Sequence, residues 1–174
     1  MLPLHLATLH TGADFFKFVL SETDKQLRYK VMQGTADPAV GKRTRAADLV
    51  GERGRTPLMF ALEVQAWDTF HYLLEMESDL AVVEEVGNHN ALQLALLLGE
   101  LDAALAILNL AKIPEAVFTN RTSRGGTALG LATQAALKGG ANGPGTAEVL
   151  RLIKKWHPQG SAEHPEAPHD QEAQ

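Results

Sequence analysis

Cysteine is absent from the 174 residues, which excludes disulfides and thiolate zinc sites and leaves the compartment to other signals. Aromatic side chains make up only 6%, so the core is not built on large rings. The hydrophobic share of 45% is dominated by leucine and alanine, as suits small stacked helices, and the length matches one domain. No apolar run approaches the roughly 20 residues needed to cross a bilayer. The opening residues show no charged segment followed by an apolar one, as a secretory signal would. A cytoplasmic chain with no membrane partner is the expectation. Lysine and arginine are missing from Thr56 to Ala111, a stretch that carries nine acids. With a net charge of -5, the chain is poorly equipped to displace counterions from phosphates, so nucleic acid is not an expected partner.

Chemistry-bearing patterns are missing as well. Ser21, Ser78, Ser123 and Ser161 all lack the glycine-flanked elbow that presents a catalytic serine. Gly125-Gly126-Thr127 precedes a helical pattern but has no phosphate-loop lysine, so it reads as a turn that starts a helix. His5 and His10 are five residues apart, not the four that place two ligands on one helix face. His71 and His89 have no partner visible in the sequence, and His157, His164 and His169 match no zinc spacing. Glu84 and Glu85 fall in a link, where solvated acids keep ordinary pKa values. These patterns predict no catalytic residue, no metal site and no cofactor.

What the chain does contain is a pattern copied along its length. In Thr56–Leu74, Thr56 reads as an N-cap with Pro57 at the first helical position, where a missing N–H costs nothing. Leu58, Ala61 and Leu62 recur at helical spacing. Polarity then rises at Glu63 and Gln65, before a second apolar set of Trp67, Phe70, Leu73 and Leu74. Two short helices folded back on each other are predicted, with Leu58 facing the core. Asn90–Leu108 repeats the pattern 34 residues on, counted from Pro57 to Ala91, with no gap. Leu2–Ala7 aligns with Thr56–Ala61, and a fourth copy opens at Gly126-Thr127-Ala128, with its second helix at Thr146–Ile153 after a glycine-rich turn.

A helix-turn-helix unit of about 33 residues opening with T-P-L-H-x-A is the ankyrin signature, and the chain resembles that family from Leu2 to about Trp156. Thr-Pro-Leu is present in the second copy, the histidine in the first as His5, and the glycine between helices at Gly99 and, one place late, at Gly12. The resemblance implies an all-α fold, a short ankyrin-like solenoid of about four stacked helix-turn-helix repeats over residues 1–156. It also implies that first helices line a concave face whose outward positions bind a partner. Carried over copy by copy, these are Leu6, Leu9 and His10; Phe60, Glu63 and Val64; Leu94, Leu97 and Leu98; and Leu131, Gln134 and Ala135. Exposed contiguous apolar residues mark interaction sites, and Phe60 is the expected anchor with the acidic link Glu84–Glu85 beside it.

Two segments depart from the ruler. Between Pro3 and Pro57 the spacing of 54 positions exceeds one repeat by about 20. Within it, Leu27, Tyr29 and Val31 alternate with Arg28, Lys30 and Met32, which predicts a short strand or extended finger in an insertion at 25–50. Residues 34–42 read as a loop and 45–50 as a single helical turn. Residues 157–174 hold three prolines and read as a disordered tail. The function expected is non-enzymatic: a module, a monomer on its own, that holds a protein partner with a basic surface, in the manner of an inhibitor or immunity-type protein. The alternative is an enzyme or toxin-like effector with its site around the 25–50 insertion.

Overall fold

The computed structural model describes residues 7–8, 13–32, 54–76, 78–138 and 144–156. Among them all regular structure is helical, in the order α1 (Ala13–Met32), α2 (Pro57–Glu63), α3 (Trp67–Glu75), α4 (Ala91–Leu98), α5 (Leu101–Leu108), α6 (Ala116–Thr119), α7 (Ala128–Lys138) and α8 (Pro144–Trp156). No helix among the described residues is long and apolar enough to cross a membrane. The all-α expectation therefore holds for the described residues.

Each of α2, α4 and α7 begins under a side-chain cap. Thr56 Oγ1 accepts the Met59 N–H at 3.3 Å, with Pro57 in the first turn. Asn90 and Gln93 form a reciprocal capping box, in which Asn90 Oδ1 accepts the Gln93 N–H at 2.9 Å and Gln93 Oε1 accepts the Asn90 N–H at 3.2 Å. Thr127 Oγ1 accepts the Gly130 N–H at 3.2 Å. Such caps satisfy N–H groups that a helix start otherwise orphans. The reversals after α2 and α4 also match bond for bond. The N–H groups of Gln65, Ala66 and Trp67 reach the carbonyls of Leu62, Ala61 and Gln65 at 3.2, 2.9 and 3.0 Å. Those of Gly99, Glu100 and Leu101 reach Leu96, Ala95 and Gly99 at 3.3, 3.0 and 3.0 Å. Gly99 sits in the left-handed region at φ +81°, and Gln65 holds the same place at φ +57°. The reversal after α2 thus takes with glutamine the left-handed backbone that glycine takes after α4.

Helices α2 and α3, α4 and α5, and α7 and α8 pack as pairs, while α2, α4 and α7 lie side by side and α5 adjoins α8. Phe16 and Leu20 seat α1 against α3, with Phe16 edge-on to Tyr72 at 6.4 Å. Leu58, Leu62, Phe70, Leu73, Leu92, Ile107 and Ile153 are fully buried, each worth about 1.5–3 kcal/mol relative to exposure. Ala61, Ala95, Ala104 and Ala132 are buried among them, and their small side chains let helices approach closely.

The structure corrects the reading of residues 27–32. They continue α1 rather than forming a strand or finger. Ser21 and Thr23 look like a stop in the sequence, but their hydroxyls donate back to the carbonyls of Phe18 at 2.9 Å and Val19 at 2.7 Å. A helix can absorb hydroxyl side chains in this way, and Gln, Leu, Arg and Lys further along are good helix formers. α8 also begins and ends beyond the expected Thr146–Ile153. α6 had no sequence forecast. It buries Val117 and Phe118, and Phe118 stacks on Trp156 with centroids 5.8 Å apart.

Candidate interaction surface

The outward positions of the first helices divide into three groups. On α4, Leu97 and Leu98 are 54% and 45% exposed at the last turn, next to the reversal at Gly99. Phe60 on α2, Val64 at its C-cap and Leu131 on α7 are half-buried, and Glu63 and Gln134 are exposed. Leu94 is only 6% exposed. α4 lies between α2 and α7, and a helix flanked on both sides keeps in solvent mainly the side chains at its free end. Leu94 therefore belongs to the core and not to the surface expected from its position. Leu6, Leu9 and His10 lie outside the described residues.

Glu63 is held by the Arg55 guanidinium, and Gln65 Nε2 donates to Glu100 Oε1 at 2.7 Å, joining the two reversals. Arg55 thus brings a positive charge to a surface whose own residues, from Thr56 to Ala111, include no lysine or arginine. Asp68 and Asp102 fall in the first turns of α3 and α5, where a negative charge complements the helix dipole. These two acids have a structural role in the stack.

The acidic link is the largest departure from the sequence reading. Glu85 is exposed, but Glu84 is 3% exposed and turned inward. Its carboxylate accepts the N–H of Val86 at 2.9 Å and of Gly87 at 2.6 Å, and it pairs with His89 Nδ1 at 2.8 Å. Burial works against ionisation, but the hydrogen bonds from His89, Val86 and Gly87 outweigh it and hold the Glu84 pKa below the ordinary 4.5. Glu84 is thus neither a solvated acid nor part of a binding rim, and His89 has a partner five residues back. A side chain at Gly87 would collide with the His89 ring; the loop closes only around a residue without Cβ.

Beside this loop lies a polar ladder that the sequence reading did not identify. Asn120 Nδ2 donates to the Asn88 carbonyl and to Gln93 Oε1, both at 2.7 Å, and Gln93 Nε2 returns a bond to the Asn120 carbonyl at 2.8 Å. Asn90 Nδ2 reaches the Val117 carbonyl at 2.8 Å, and Asn88 Nδ2 the Arg121 carbonyl at 2.6 Å. The Ser123 N–H donates to the Gly87 carbonyl at 2.7 Å. The Asn88-His89-Asn90 cluster, with Asn120 some 30 residues further on in the next link, is the sequence signal that could have revealed it.

A cleft of about 820 Å³ lies at the ends of α3 and α5, lined by the buried Leu74, Leu80 and Ile113 and by the exposed Glu75, Asp79 and Lys112. Among the described residues no group of three or more His, Asp or Glu side chains is placed to hold a metal ion. No protein-family model matches the chain, and comparison with curated proteins returns no match.

Proposed function

We propose that the chain is an ankyrin-like solenoid of about four repeats that acts as a non-enzymatic protein-binding module, with Leu97 and Leu98 at the centre of its contact surface. The recurrence of caps at Thr56, Asn90 and Thr127, and of one reversal geometry at Gln65 and Gly99, supports the repeat reading. The observation that carries the functional reading is the exposure of two adjacent leucines at the free end of α4, where solvent contact is unfavourable unless a partner covers them. On the neighbouring first helices Phe60, Val64 and Leu131 are half-buried apolar residues, and Glu63 and Gln134 are exposed polar ones, the composition found where a few desolvated anchors carry most of the binding energy. A stretch with nine acids and no lysine or arginine favours a partner with a basic surface, because complementary charge speeds encounter.

The test compares the full chain with the Leu97→Arg/Leu98→Arg double variant in capture from the native source, with mass spectrometry of what is retained. The expected result is a protein retained by the wild type and lost from the double variant, while both melt at the same temperature because the two side chains are exposed. Equal retention of that protein by both chains would overturn the reading.

A further inference from the structure

The cleft at the ends of α3 and α5 carries a charge arrangement that the helices themselves do not favour. Glu75 is the last residue of α3, and neither α3 nor α5 has a basic residue in its last turn. A helix C-terminus already bears a partial negative charge, so an acid there costs stability. Asp68 and Asp102, by contrast, sit at the favourable ends of the same two helices. Asp79 brings a second carboxylate to the cleft. Its Oδ1 accepts the Ala81 N–H at 2.9 Å, and Ser78, buried beside it, donates its hydroxyl to the Leu73 carbonyl at 2.8 Å. The link that carries Asp79 is therefore held in place against the end of α3. Lys112 is exposed on the link after α5, and among the described residues neither it nor Glu75 forms an ion pair. Leu74, Leu80 and Ile113 line the interior, while the exposed Leu97, Leu98 and Leu137 all lie elsewhere.

We propose that this cleft binds a small organic cation, an ammonium group carried on an aliphatic body. Glu75, Asp79 and the negative end of α3 supply the field that holds the charge, and the leucine and isoleucine lining receives the body. A volume of about 820 Å³ falls within the range of small-molecule sites, which combine an apolar lining with a few placed polar groups. A protein face is a poorer match, because the apolar lining is recessed and none of the large exposed apolar side chains rims it. Lys112 leaves the field negative: a lysine stem covers apolar surface while its ammonium stays in water, and two carboxylates face it across the cleft. An acid placed where it weakens its own helix is the stability loss that binding sites retain. The inference rests neither on the repeat reading nor on the Leu97–Leu98 surface, with which the cleft shares no residue.

Amide NMR spectra of the full chain, titrated with hexylammonium, hexanol, hexanoate and the zwitterion aminohexanoate, test it. Hexylammonium is expected to shift the signals of residues 78–80 and 110–113 saturably and to bind about threefold more tightly than hexanol, as an exposed charge pair contributes. Hexanoate should leave those signals in place. Glu75→Gln should weaken hexylammonium about threefold and raise the melting temperature by about 1–3 °C. A structural role for Glu75 would lower it instead. Lys112→Gln should bind hexylammonium more tightly than the wild type does. Equal binding of hexanol and hexylammonium, or an unchanged affinity in Glu75→Gln, overturns the proposal and leaves an apolar recess with no preference for charge. Tighter binding of aminohexanoate than of hexylammonium also overturns it, because Lys112 would then hold a carboxylate. So does a wild-type spectrum that hexylammonium fails to move.

Discussion

Replacing Asn120 with alanine removes the side chain that joins the loop before α4 to the loop before α7. Two strong hydrogen bonds go with it, to the Asn88 carbonyl and to Gln93 Oε1, both at 2.7 Å, along with a longer one at 3.3 Å from Asn88 Nδ2. A hydrogen bond of this kind contributes about 0.5–1.5 kcal/mol net, and a buried acceptor left short of donors adds to the loss. Gln93 is fully buried and keeps only the 3.2 Å bond from the Asn90 N–H at that oxygen. The sum is a destabilisation of about 2–3 kcal/mol. For a chain of this length each kcal/mol moves the melting temperature by about 2–4 °C, so a fall of roughly 5–10 °C is expected in a thermal melt followed by circular dichroism. Asn120→Asp should be worse, because it points a carboxylate at two acceptor oxygens. Asn109→Ala, at an exposed position after α5, should stay within about 0.5 kcal/mol of the wild type and serves as the control. An Asn120→Ala chain that melts with the control would refute the ladder as the link between helix pairs.

Gln65→Gly should stabilise the fold by about 0.5–1 kcal/mol in urea titration. It relieves the left-handed strain of a residue with a Cβ, less the exposed bond to Glu100; a lower midpoint than wild type would contradict the assignment. Glu84 has its pKa lowered in the folded chain, so the stability it contributes is fully present above the unfolded value. That contribution falls away as pH drops below about 4.5 and through the folded pKa. Glu84→Gln should be less stable than wild type at neutral pH, and the gap should narrow in acid. A gap that stays constant with pH would remove the carboxylate from the account.

The pattern of small apolar residues at helical spacing, opened by Thr56-Pro57 and Asn90-Ala91 and copied at Thr127, was enough to predict where α2, α4 and α7 begin and that each turns back into a second helix. Caps and apolar periodicity are local properties, set within a few residues of where they act, so the sequence alone carries them. The outward placing of Leu97 and Leu98 came from the resemblance to ankyrin repeats and not from the pattern itself; both side chains are exposed. Whether an outward face is open depends on what lies beside it, and that is not local. Leu94 has the same helical position as Phe60 and Leu131, yet it is buried because α4 is flanked on both sides. Glu84 and Glu85 are adjacent and chemically alike, but only the loop closing on His89 and Gly87 takes one inward and leaves the other in water. Gln65 adopts a glycine's conformation because the carbonyls of Leu62 and Ala61 and the packing of α2 on α3 hold it there, at a position where the letter itself argues against it. Residues 27–32 alternate as a strand would, but continue the helix that Phe16 and Leu20 anchor to α3. The sequence by itself determined where α2, α4 and α7 begin; the tertiary structure decided how far α1 runs and which side chains of each element met a neighbour, because burial belongs to the pairs of surfaces that come together and not to the residue alone.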